Sequence, residues 1–134
     1  MKQPWVLIAI IALSLILLAF GIIITFNPHT LYAGNHVTLS HDPNILSEIR
    51  APGGLILLSG MFLALSVFIP RLRTLALTTA SLLYFGYGMG RVVSIILDGP
   101  PSVVLISAMA AEFILAVISI SVLIARRPKR THAL

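Results

Sequence analysis

Four stretches of the chain are apolar at almost every position, and each is long enough to cross a bilayer. A transmembrane helix needs ~20 such residues. The first run, Trp5 to Phe26, carries no charged residue. Lys2 precedes it, as in a signal peptide. The apolar run is too long for a signal-peptide core, however, and no small-x-small cleavage site follows, so it reads as a retained span. The pattern predicts spans at 5–26, 48–69, 72–97 and 102–125, with an outer loop over 27–47 and a basic tail over 126–134. The fold class is therefore all-α, a single integral membrane four-helix bundle.

The connections sharpen this picture. The 27–47 segment is punctuated by Pro28, Gly34, Asn35, Asp42 and Pro43. Asp42-Pro43 is a helix start, an N-cap residue followed by proline at the first helical position. The second helix accordingly begins near Pro43, ahead of its membrane part. Pro52 is tolerated if it falls within the first turns, and Gly53-Gly54 lets a neighbouring helix come close. Pro70-Arg71-Leu72-Arg73 is a tight turn that makes the second and third spans antiparallel neighbours. Asp98-Gly99-Pro100-Pro101 ends the third span.

Composition supports lipid as the solvent. Hydrophobic residues make up 58% of the 134 and charged residues 10%, against ~25% charged in a soluble domain. So small a soluble fold could not hide that much apolar surface. The absence of cysteine excludes disulfides, thiolate chemistry and cysteine-based zinc sites. The net charge of +5 follows the membrane and not a nucleic acid. Lys2, Arg71, Arg73, Arg126, Arg127, Lys129 and Arg130 fall on one side of a four-span chain. That places both termini of a multi-pass membrane protein in the cytoplasm. A basic tail can also hold anionic lipid, but setting orientation is the simpler role.

Arg50 and Arg91 sit in the outer half, where that rule does not put them. All four acids, Asp42, Glu48, Asp98 and Glu112, lie in the same half or near the midplane. In the third span Tyr84, Tyr87, Arg91, Ser94 and Asp98 fall within an arc of roughly 80° on a helix, a single polar stripe. Gly86 and Gly90 form a G-x-x-x-G edge beside it. Arg91 is roughly 9 Å inside its span and Glu112 roughly 16 Å inside the fourth. A charge at such depth costs at least ~2.5–3.5 kcal/mol, so both should face the bundle and pair. Glu48 shares an angular line with Ser59 and Ser66, whereas Arg50 points about 200° away from Glu48.

These residues support two readings. In one, Glu48, Arg50, Tyr84, Tyr87, Arg91, Ser94, Asp98 and Glu112 line an outward-opening polar pocket for a lipid headgroup or small polar molecule. In the other, the charges are a buried ion-pair network that fixes helix register. Ser59, Ser66 and Ser119 read as packing residues bonded to their own backbone. His29, His36 and His41 lack metal-ligand spacing and read as interfacial polarity. Gly86-x-Gly88-x-Gly90 lies inside a span and is no dinucleotide fingerprint. No motif calls for a metal or a cofactor, and none marks a nucleophile.

Ser47-Glu48-Ile49-Arg50-Ala51-Pro52-Gly53-Gly54, Gly90-Arg91-Val92-Val93-Ser94 through Asp98-Gly99-Pro100-Pro101, and Ala111-Glu112 together resemble a family of small bacterial four-span membrane proteins of unknown function. That family is similar in layout to the DoxX-like proteins. The resemblance runs from Leu31 into the fourth span. It implies a four-helix bundle in the cytoplasmic membrane and brings no activity with it. Three function classes follow: a binder of a small or amphipathic ligand, an accessory subunit that meets a membrane-protein partner or its own copy, and an enzyme using Glu112 or Glu48 as acid or base on a lipidic substrate.

Overall fold

The computed structural model describes residues 4–126. Five α-helices follow one another: α1 (Pro4–Phe26), α2 (Pro28–Ala33), α3 (Pro43–Phe68), α4 (Arg73–Asp98) and α5 (Val103–Ala125). One turn of 3₁₀-helix, Pro70–Leu72, joins α3 to α4. The four long helices are each long and apolar enough to cross a membrane. The chain is a membrane four-helix bundle. Lys2 and the tail beyond Arg126 lie outside the described residues.

The starts and stops have local causes. Asp42 caps α3, its Oδ1 accepting from the Asn44 N–H at 2.7 Å, with Pro43 at the first position. Ser102 caps α5, its side chain accepting from the Leu105 N–H. Gly99, at φ 93°, ends α4 in a conformation that L side chains rarely adopt. The short helix α2 interrupts the stretch that reads as loop. Asn27-Pro28 repeats the Asp42-Pro43 pattern, with proline at the start of α2, although the Asn27 side chain makes no capping bond.

Glycines decide which helices pair most closely. A Cβ at Gly21 would stand 2.5 Å from the Leu57 backbone, and one at Gly60 would stand 2.8 Å from the Leu18 nitrogen. The backbones of α1 and α3 therefore cross almost in contact, and α1/α3 is the most extensive interface. The second pair is α4/α5. There Gly88 admits the Phe113 ring, and Phe85 meets Phe113 edge to face with ring centroids 6.0 Å apart. Consecutive α3 and α4, joined by the tight turn, touch far less. A short link fixes their antiparallel order; side-chain size settles how closely they pack.

The two pairs join around Ile10, Leu13, Leu63, Leu77, Ala80 and Val122, all buried. Ser14, Ser59, Ser66, Ser81 and Ser119 are buried with them. Each donates its hydroxyl to a carbonyl three or four residues back on its own helix, so none of these five hydroxyls is stranded. At the turn, Arg73 donates from Nε to the Ser66 carbonyl and from Nη2 to the Val67 carbonyl, both at 2.9 Å. It thereby satisfies carbonyls that the end of α3 leaves without helical donors. This basic end is closed. At the other end no comparable hydrogen bond ties α3 to α4 among the described residues.

Candidate functional site

Where α3 and α4 part, a groove opens with a cavity volume of ≈ 960 Å³. One wall is α3, with Glu48, Pro52 and Ser59. The other is α4, with Thr79, Tyr87, Arg91 and Ser94. Tyr32 and Asn35, in and just after α2, line it as well. His29 and His41 stack with ring centroids 4.4 Å apart and so hold α2 against the segment that leads into α3. Among the described residues no group of three or more His, Cys, Asp or Glu is placed to hold a metal ion.

Arg91 anchors the polar part. Its Nε donates to both carboxylate oxygens of Glu112, on α5, at 3.0 Å. This is the one ion pair among the described residues, with the arginine side chain 31% exposed and the glutamate 17%. The two Nη groups make no hydrogen bond among the described residues, and Arg91 is one of the residues that line the groove. A guanidinium bonded through Nε alone keeps a planar pair of donors for another acceptor. Tyr87, one turn below, lies in the electrostatic surroundings of Glu112, Arg91 and Tyr32.

The eight residues of the expected pocket separate into groups. Glu48, Tyr87, Arg91 and Ser94 share the groove. Glu112 is not on its wall and holds Arg91 from α5. Tyr84 is buried on the α1 side, its hydroxyl donating to the Leu13 carbonyl at 3.1 Å. Asp98 is exposed at the end of α4 and accepts from the Ser94 hydroxyl at 3.0 Å. Arg50 faces a separate shallow depression with Pro43, Leu46, Ser47 and Ala51. That fits its angular offset from Glu48.

Pro52 departs from the sequence reading in an instructive way. It lies nine residues after Pro43, well inside α3 and not in its first turns, yet the helix continues through it. Proline has no N–H, so the Glu48 carbonyl loses its helical donor. Residues four apart share a helix face, and both Glu48 and Pro52 line the groove. The α3 wall thus contains a backbone carbonyl without its usual helical donor, on the residue that also carries the Glu48 carboxylate. Glu48 itself makes no hydrogen bond or ion pair among the described residues.

Sequence reasoning missed the α2 contribution. Tyr32 and Asn35 lie in a segment that reads as loop, and the Asn27-Pro28 start was the available signal. The Gly86 and Gly90 edge exists, but no helix occupies it: a Cβ at either would meet nothing within 4 Å. Both glycines lie on the groove wall.

No curated protein and no solved structure matches the chain. A family model matches residues 6–123, and on that match the chain belongs to the family described as a domain of unknown function, DUF4345.

Proposed function

We propose that the protein is a binding protein that admits an amphipathic molecule into the groove between α3 and α4. The observation that supports this best is the juxtaposition, in one cavity, of Arg91 with free donor groups, uncommitted Glu48, and apolar Leu31, Leu55, Leu82 and Leu83. Such a lining suits a ligand with a polar head and an apolar body. Native mass spectrometry of the full chain in mild detergent tests it. A lipid-sized adduct is expected on the wild type, and Gly86→Phe, which projects a ring into the groove, should remove it without lowering the melting temperature. Absence of an adduct, or its persistence in Gly86→Phe, would overturn the reading.

A second reading has its own support. The bare Gly86–Gly90 edge is the kind of surface that accepts a partner helix. A stoichiometric polypeptide in place of the lipid adduct would make the protein an accessory subunit. In the acid–base reading Glu112 is held by both oxygens, which leaves Glu48, and no observation favours that role for Glu48 over ligand binding.

The groove belongs to the side that the positive-inside rule makes the outside of a bacterial cytoplasmic membrane. Reporter fusions at Arg73 and Leu134 are expected to read cytoplasmic, and one at Asn35 external. A cytoplasmic signal at Asn35 would invert this orientation.

A further inference from the structure

Two opposite charges line the groove without meeting. Arg91 on α4 pairs only with Glu112, behind the wall, and Glu48 on α3 is beyond ion-pair distance of any cation among the described residues. They stand at similar depth from the loop end of the bundle. Glu48 is five residues into α3 and Arg91 is seven residues before the end of α4, roughly 8 and 10 Å along their helices. The two walls therefore differ in chemistry. The α4 wall offers donors: two Nη groups and the Tyr87 hydroxyl, while the Ser94 hydroxyl is already given to Asp98. The α3 wall offers acceptors: the Glu48 carboxylate and the Glu48 carbonyl that Pro52 leaves without a donor. Asn35 adds to this side, because its Oδ1 is buried with no partner while its Nδ2 donates to the Leu31 carbonyl at 3.0 Å.

A singly charged anion satisfies only one wall. It also enters a region where Glu48 and Glu112 together outnumber Arg91. A simple amine meets the reverse problem at Arg91. A head that carries both an oxyanion and an ammonium can satisfy both walls at once. Such complementarity selects among ligands more than it adds affinity. The apolar walls below, with Leu55, Leu82 and Leu83, give this head an acyl continuation.

We propose that the occupant of the groove is a zwitterionic lipid, its phosphate on Arg91 and its ammonium on Glu48 and the free carbonyl beside it. This rests on the groove being a binding site. The two ideas separate experimentally, because charge preference and binding itself are read in different arms.

The test measures binding to the full chain in dodecyl maltoside with three probes: dioctanoyl phosphatidylethanolamine, dioctanoyl phosphatidylglycerol and free phosphoethanolamine. The zwitterionic lipid is expected to bind about tenfold more tightly than the anionic one, the factor that one charge-assisted contact commonly supplies. Glu48→Gln should bring the zwitterionic lipid down to the level of the anionic lipid. Glu48 is exposed and unbonded, so the variant should keep the wild-type melting temperature. Equal binding of the two lipids to the wild type, or a preference that survives Glu48→Gln, would overturn the zwitterion while leaving the groove as a site. Binding of neither lipid would overturn the groove as well. Free phosphoethanolamine binding as tightly as the lipid would overturn the lipid as its source.

Discussion

Gly21→Ala, a change of one methyl group, is expected to lower stability by about 2 kcal/mol, within the usual cost of overpacking a well-filled interior. The added carbon would lie 2.5 Å from both Cα and N of Leu57. These are backbone atoms of a helix and cannot rotate aside. The α1/α3 crossing must widen, and the dispersion contacts along that interface weaken together. Gly21→Leu should cost more and leave little folded protein. Gly54→Ala, in the same helix as Leu57, supplies the comparison. A Cβ there meets nothing within 4 Å, and alanine is the better helix former by roughly 0.5–1 kcal/mol in water. It should be neutral or mildly stabilising. Unfolding of the purified protein in mixed micelles on titration with denaturing detergent ranks the variants. Equal midpoints for Gly21→Ala and Gly54→Ala would mean that α1 and α3 do not cross at Leu57.

The same glycines show where the sequence was readable and where it was not. Spans, turns and caps are local properties. Apolar runs, Asp42-Pro43 and Asp98-Gly99-Pro100 mark them, and the observed α3 begins at Pro43 while α4 ends at Asp98. Which long helices pair most closely depends on two surfaces fitting, and one chain does not display that as a pattern. Gly53 and Gly54 look alike in sequence, yet a Cβ at Gly53 would collide with Ile24 while one at Gly54 would meet open space. The short turn between α3 and α4 makes them antiparallel neighbours but does not set how closely they pack. Small residues on α1 and α3 made the tighter contact instead, and the looser α3/α4 contact is what leaves room for the groove.

The polar stripe of α4 illustrates the limit again. Tyr84 to Asp98 spans about 21 Å along the axis, and over that distance one helix face passes different neighbours. Tyr84 meets α1, Tyr87 and Arg91 meet the groove and α5, and Asp98 reaches the helix end. A shared angle therefore did not make a shared site. The Arg91–Glu112 contact was foreseeable for a different reason: two charges that are costly in lipid, at compatible depth on hairpin-linked spans, have few other ways to be satisfied.

That contact carries the second large prediction. Arg91→Met leaves Glu112 without its counter-ion, and Glu112→Gln leaves a guanidinium that cannot shed its charge and can only extend along the groove towards water. Removing one partner of a buried pair costs ~3–5 kcal/mol in soluble proteins. Here the arginine is 31% exposed, and unfolded helices in a membrane also find partners, so each single change should cost on the order of 1–2 kcal/mol. Replacing both by apolar residues removes the desolvation cost along with the attraction. The double variant Arg91→Met/Glu112→Leu should then recover much of the stability lost in either single variant. Strictly additive losses in a thermal-unfolding cycle would mean that the two side chains do not touch. Ligand retention in the double variant separates the roles. If the pair only fixes helix register, the bound lipid-sized adduct should return with stability. If Arg91 holds the head of the ligand, stability returns and the adduct does not, because the Nη donors on the groove wall are gone while the helices remain in place.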